Sequence, residues 1–199
     1  YELIREHLPE QYIWIDITVP LDVVFEKYMS YTEVVVFASG DPLFFGFANT
    51  VRNRLPEADI QVFPWFNSLQ TLAHRLVMPY QDMEIVSLTG RPWHEFDRAL
   101  IERKTKIGVL TDRQHTPVAV AERMLAYGYS GYRMTIGEML GNAEEQVRTM
   151  ELPEVVHSNF RFPNCLILEK MAERERFFGI PESEFYLLDG RTKMITKMP

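Results

Sequence analysis

The segment 34–47, VVVFASGDPLFFGF, places small and acidic residues where a backbone could meet a ligand. A four-residue apolar run, Val34-Val35-Val36-Phe37, leads into Ala38-Ser39-Gly40-Asp41-Pro42, and a helical pattern follows over residues 43–55. Gly40 lets another group approach the main chain, and the Asp41 carboxylate can accept hydrogen bonds. Two readings fit these residues. One is a ligand-facing loop beyond the carboxyl end of a buried strand, where open α/β sheets bind their ligands. The other is a plain strand-to-helix turn, with Asp41 as the cap and Pro42 at the first helical position.

Other chemistry-bearing residues are sparser. Arg91 and Arg113 each follow an expected strand, and a guanidinium fork matches carboxylates bidentately; both also suit a solvated surface. His74, His94 and His115 lack the spacing of metal ligands. Cys165 opens an apolar run and reads as a small buried side chain. Phe44, Phe45, Phe47, Trp65 and Phe66 read mostly as core, with one or two rings free to wall a cleft. No metal motif and no nucleophile–base pair stands out.

The elements that must position these residues alternate between short apolar runs and helical patterns, which predicts α/β architecture with βαβ units and a parallel sheet. Strands are predicted over residues 13–17, 34–37, 60–63, 84–88, 107–110, 133–136 and 165–169. Helices are predicted over 21–29, 43–55, 67–77 and 93–103. A further helix carries Thr116 as N-cap, Pro117 at the first helical position and Gly128 just past its end. Asn67 with Gln70 three residues on resembles a capping box. A boundary near residues 78–82 gives an N-terminal lobe over 1–80 and a C-terminal lobe over 81–176, with 177–199 a tail or linker.

Composition narrows the class. A net charge of −7 argues against a broad nucleic-acid surface. No apolar run is long enough to span a membrane, and the single cysteine fits a reducing cytoplasm. Residues 1–5 already read as part of an amphipathic helix, so a piece of a longer polypeptide is expected.

Five stretches, taken in order, resemble the tetrapyrrole methylases, which methylate uroporphyrinogen and corrin precursors. Ala38 to Phe47 resembles their Gly-Asp-Pro segment. Phe63-Pro64-Trp65-Phe66-Asn67-Ser68 resembles a Pro-Gly turn, with Trp65 in place of the glycine. Val86-Ser87-Leu88-Thr89-Gly90-Arg91 resembles a strand ending in Gly-Arg. Val109-Leu110-Thr111-Asp112 and Ile136-Gly137-Glu138-Met139-Leu140-Gly141 are similar to segments of the members that methylate C5 of the corrin ring. The family's first strand and its Gly-Pro-Gly loop have no counterpart here.

The resemblance implies two small α/β lobes with a cofactor cleft between them, the first strand of the N-terminal lobe missing. It implies an S-adenosylmethionine-dependent C-methyltransferase acting at C5 of a precorrin. Other target carbons, or a non-catalytic nucleotide-binding domain, remain open. Cofactor contacts carry over to Ser39, Gly40, Asp41, Phe44, Asn67, Ser68, Thr111, Leu140 and Gly141. Arg91 and Arg113 would meet the carboxylates of the tetrapyrrole. A homodimer is implied too, and the stretch Phe178 to Phe185 with Ile195-Thr196-Lys197 looks like a junction to a C15-methylating, decarboxylating module.

Overall fold

A computed structural model describes residues 4–171; the tail expected over 177–199 and part of the helix expected over 1–5 lie outside the described residues. The chain divides into two compact units, the first ending at Asn67 and the second beginning at Ser68.

The first unit contains the helices α1 (Leu21–Tyr28) and α2 (Phe47–Arg54). Its small core is Val24, Phe25 and Tyr28 of α1, against which Ile15, Leu21, Val36, Phe47, Val51 and Leu55 pack. The three strands predicted here, over 13–17, 34–37 and 60–63, are not formed. None of these runs belongs to a ladder, and a strand exists only through partners that take up its amide and carbonyl groups. Ile15 and Val36 still point inward, while Ile13 and Val35 are 70% and 71% exposed. The expectation that 34–37 is covered on both faces is therefore overturned. So is the assignment of the nearby rings to the core, since Phe45, Trp65 and Phe66 are all exposed.

The second unit is built on one five-stranded sheet: β1 (Glu84–Ser87), β2 (Lys106–Leu110), β3 (Tyr132–Glu138), β4 (Gln146–Glu151) and β5 (Asn164–Lys170), in the order β1-β2-β5-β3-β4. Only β1 and β2 pair in parallel; β2–β5, β3–β5 and β3–β4 are antiparallel. This corrects the parallel sheet predicted from the alternation. The crossover from β2 to β3 keeps their direction but leaves one position vacant between them, and β5 fills it from the opposite direction. β4 has no predicted counterpart. Its sequence, Gln146-Val147-Arg148-Thr149-Met150-Glu151, is polar because it is an edge strand.

Helices cover both faces. Ile107, Val109, Met134, Ile136, Leu166 and Leu168 join one core with Phe96 and Leu100 of α4 (His94–Ile101), Val120 and Met124 of α5 (Pro117–Ala126), and Leu152 and Val155 of α6 (Leu152–Val156). The alternate residues face α3 (Ser68–Arg75). There Gly137 makes room: a Cβ would stand 2.8 Å from Leu140 Cδ1 and 3.0 Å from Leu72 Cδ1. The punctuation of α5 is as predicted, with Thr116 Oγ1 accepting from the Ala119 amide at 3.2 Å and Gly128 in the left-handed region.

One ion pair with a buried carboxylate ties the hairpin to the chain that leads into β5. Glu138, the last residue of β3, is 1% exposed. Its Oε1 accepts from Arg148 Nε at 2.8 Å, and its Oε2 from the Arg161 amide at 2.6 Å. Arg148 also lies over the Phe160 ring and donates to the Asn159 carbonyl. Removing Glu138 takes the acceptor away from the Arg161 amide, while Arg148, its side chain 27% exposed, keeps the Asn159 carbonyl and reaches water. Glu138→Ala should therefore lose about 1–3 kcal/mol of stability in urea titrations.

Candidate functional site

The Gly-Asp-Pro segment forms a tight turn that does not begin a helix. Gly40 has φ +68, a conformation that glycine enters at no steric cost. Asp41 Oδ1 accepts from the Leu43 amide at 2.9 Å, and the Asp41 carbonyl accepts from the Phe44 amide at 3.2 Å. α2 starts only at Phe47, after Gly46. Asp41 therefore caps a turn, and the plain helix-cap reading of the sequence is set aside. Gly46 was not among the residues singled out from the sequence, yet a Cβ on it would meet the Pro42 carbonyl oxygen at 2.4 Å. Its only signal in the sequence is its place just before a helical pattern.

Gly40 also faces a second candidate. A Cβ on it would stand 3.6 Å from both the Asn67 Cα and the Phe66 carbonyl oxygen. Two predicted contact residues, Gly40 and Asn67, are thus neighbours, with Asn67 buried and Ser39 exposed at the turn. Phe44 is half-buried, its ring edge-on to Phe45.

In the second unit the candidates gather at one edge of the sheet, where β1, β2 and β3 end and β5 begins. Ser68, the first residue of α3, hydrogen-bonds the Cys165 thiol; burial nevertheless pushes that thiol up to about 12. Thr111 follows β2 and is buried, its Oγ1 2.5 Å from the Asn164 carbonyl oxygen and 2.7 Å from Asn164 Oδ1. The lone hydroxyl proton serves one of these acceptors at a time. Leu140 and Gly141 follow β3. The Gly141 amide donates to Glu145 Oε2 at 2.7 Å, and Glu145 Oε1 accepts from Arg75 Nε of α3 at 2.5 Å. The Gly141 N–H is thereby committed within the protein, and the Leu140 side chain lies over Gly137.

Arg91 and Arg113 stand at the same edge, beyond the ends of the parallel pair β1 and β2, and both are exposed. Arg113 lies over the Phe162 ring, 5.4 Å from its centroid. Between the two loops sits Asp112, which sequence reasoning recorded only as part of a motif. Its Oδ1 accepts from the Gln114 and His115 amides at 2.8 and 2.6 Å, and its Oδ2 from the Gly90 amide at 2.9 Å. Burial pushes this carboxyl upward, but the hydrogen bonds from His115, Gly90 and Gln114 outweigh it and hold the group well below the ordinary carboxylate range. A cavity of about 300 Å³ lined by Asp97, Leu100, Ile101, Tyr127 and Tyr129 contains none of these residues.

The sequence is 37% identical over 116 residues to precorrin-6Y C(5,15)-methyltransferase (decarboxylating) of Sinorhizobium sp, covering 58% of this chain and 28% of that protein. It is 26% identical over 137 residues to cobalt-precorrin-7 C(5)-methyltransferase of Salmonella typhimurium, covering 69% of this chain and 66% of that one. The chain thus spans less than two thirds of either relative. The methyltransferase CobJ shares the fold with a TM-score of 0.61 at 20% identity, over 82% of this chain and 76% of that one. Uroporphyrin-III C-methyl transferase from Thermus thermophilus, complexed with S-adenyl homocysteine, gives 0.59 at 21% identity over 75% and 71%. Residues 21–156 match the family of the tetrapyrrole (corrin/porphyrin) methylases, and the chain belongs to it.

Proposed function

We propose that this chain is an S-adenosylmethionine-dependent C-methyltransferase of corrin biosynthesis, acting at C5 of a precorrin such as precorrin-6Y or cobalt-precorrin-7. The observation that carries the reading is its family membership over residues 21–156, a range that includes the candidate residues, together with its similarity to two C5-methylating relatives. Gly40 is the local test of fit: it offers bare backbone at a positive φ beside Asn67, which suits close approach by a ligand.

S-adenosylmethionine, when bound, supplies a methyl group already activated on a sulfonium. The protein then has to orient two molecules and exclude water. We assign Ser39, Gly40, Asp41, Phe44 and Asn67 of the first unit to the cofactor, and Ser68, Thr111, Leu140 and Gly141 of the second. Arg91 and Arg113 take the carboxylates of the substrate. The same reading carries a cytoplasmic setting, a homodimer, and fusion to a C15-methylating, decarboxylating module. No helix among the described residues is long and apolar enough to cross a membrane.

Calorimetry on the full-length protein should detect binding of S-adenosylmethionine and of S-adenosylhomocysteine, and absence of both would end the enzyme reading. Mass spectrometry and NMR of the precorrin product should place the new methyl at C5; any other carbon would exclude this substrate assignment. Within the turn, Gly46→Ala forces a methyl against the Pro42 carbonyl, an overpacking that costs about 1–3 kcal/mol. Its affinity for S-adenosylhomocysteine should fall by roughly tenfold, as read by the same titration.

A further inference from the structure

We propose that Asp112 is a positioning residue for the substrate: it locks the loop that carries Arg91 to the loop that carries Arg113. The proposal rests on the assignment of those two arginines to substrate carboxylates. Its basis is the division of labour between the two carboxylate oxygens. Oδ1 accepts only from its own loop, at the Gln114 and His115 amides, with the His115 Nδ1 at 3.0 Å. Oδ2 reaches across to the Gly90 amide at 2.9 Å, one residue before Arg91. Arg113 is the next residue after Asp112, so this single group adjoins both arginines along the chain.

The cofactor side is tied down separately. Thr111 is held by Asn164, and its carbonyl accepts from Thr89 Oγ1 at 3.2 Å, a second tie between the same two loops that lies one residue closer to the strand ends than the Asp112–Gly90 bond. Neither bond involves Asp112. His115, in turn, is kept in place by the edge-on Trp93 ring, 4.7 Å between centroids. Loss of the Oδ2 bond alone should therefore loosen the spacing of the two arginines without unseating Thr111 or His115. Two guanidinium forks grip the carboxylate arms of one macrocycle best when their separation matches the spacing of those arms.

Asp112→Asn separates these roles. Its amide oxygen can keep the Oδ1 bonds, while its NH₂ group, a donor, faces the Gly90 N–H, which is also a donor. Binding of uroporphyrin, a stable polycarboxylate tetrapyrrole, and of S-adenosylhomocysteine should be titrated for the full-length wild type and the variant. The expected result is uroporphyrin affinity about tenfold weaker, S-adenosylhomocysteine affinity changed by less than about twofold, and a melting temperature lowered by less than about 5 °C. In a protein already carrying Arg91→Gln and Arg113→Gln, the same change should have no further effect on uroporphyrin. Unaltered uroporphyrin binding in Asp112→Asn overturns the proposal, as does equal weakening of both ligands. A tenfold loss that persists without the two arginines also overturns it. A wild type that binds S-adenosylhomocysteine but not uroporphyrin removes the proposal together with the assignment of the arginines. A wild type that binds neither removes the proposed function as well.

Discussion

The second unit depends on a strand that arrives last and sits in the middle. β5 pairs with β2 on one side and β3 on the other, and Cys165, Leu166, Ile167 and Leu168 are all at most 1% exposed. Until residues 164–170 are in place, the β1–β2 pair and the β3–β4 hairpin have no common sheet. Leu166 and Leu168 join the core under α4, α5 and α6, while Cys165 faces Ser68 of α3. The cost is loop closure before reward: β2 must wait for partners far along the chain. The Glu138–Arg148 pair bears on the same event. Glu138 also accepts from the Arg161 amide, so it guides the chain into β5 from the end of β3.

That arrangement decides where chemistry can occur. With β1, β2 and β3 all running the same way, their carboxyl ends share one edge, and β5 begins at that edge. Thr111, Leu140, Gly141, Arg91 and Arg113 fall there for a topological reason, which is the general location of ligands in such sheets. The polar groups at this edge are largely satisfied by the protein itself. Thr111 is bound to Asn164, the Gly141 amide to Glu145, and the Gly90 amide to Asp112. Groups fixed in this way hold their geometry before any ligand arrives, which limits the ordering cost of binding.

Local signals were legible in the sequence, and non-local ones were not. Thr116, Pro117 and Gly128 framed α5 because caps act within one turn. The apolar runs of β1, β2, β3 and β5 were visible because each is covered by helices. The order of those strands was hidden, since the alternation of strands and helices says nothing about a gap left for a later strand. β4 was missed because an edge strand need not be apolar. In the first unit the error ran the other way: residues 34–37 have strand composition, yet composition cannot supply a pairing partner. Gly46 escaped notice because its constraint is a contact with Pro42, visible only once the turn is built.

Asp41 and Asp112 make the same point at the scale of one side chain. Each follows an apolar run, and each uses Oδ1 to accept from the amide two residues ahead. From sequence they are one device, an Asp turn at the end of a strand. They differ in what their surroundings provide. Residues 34–37 enter no ladder, and the bond from the Leu43 amide to the Asp41 carboxylate stays within its own turn. β2 has β1 as a parallel neighbour, with Ser87 opposite Leu110 and the Leu88 amide bonded to the Leu110 carbonyl. That ladder brings Gly90 within reach of Asp112 Oδ2, so a local turn becomes a tie between two loops. The chemistry of the carboxylate is the same in both places; the sheet determines whether its second oxygen has anything to hold.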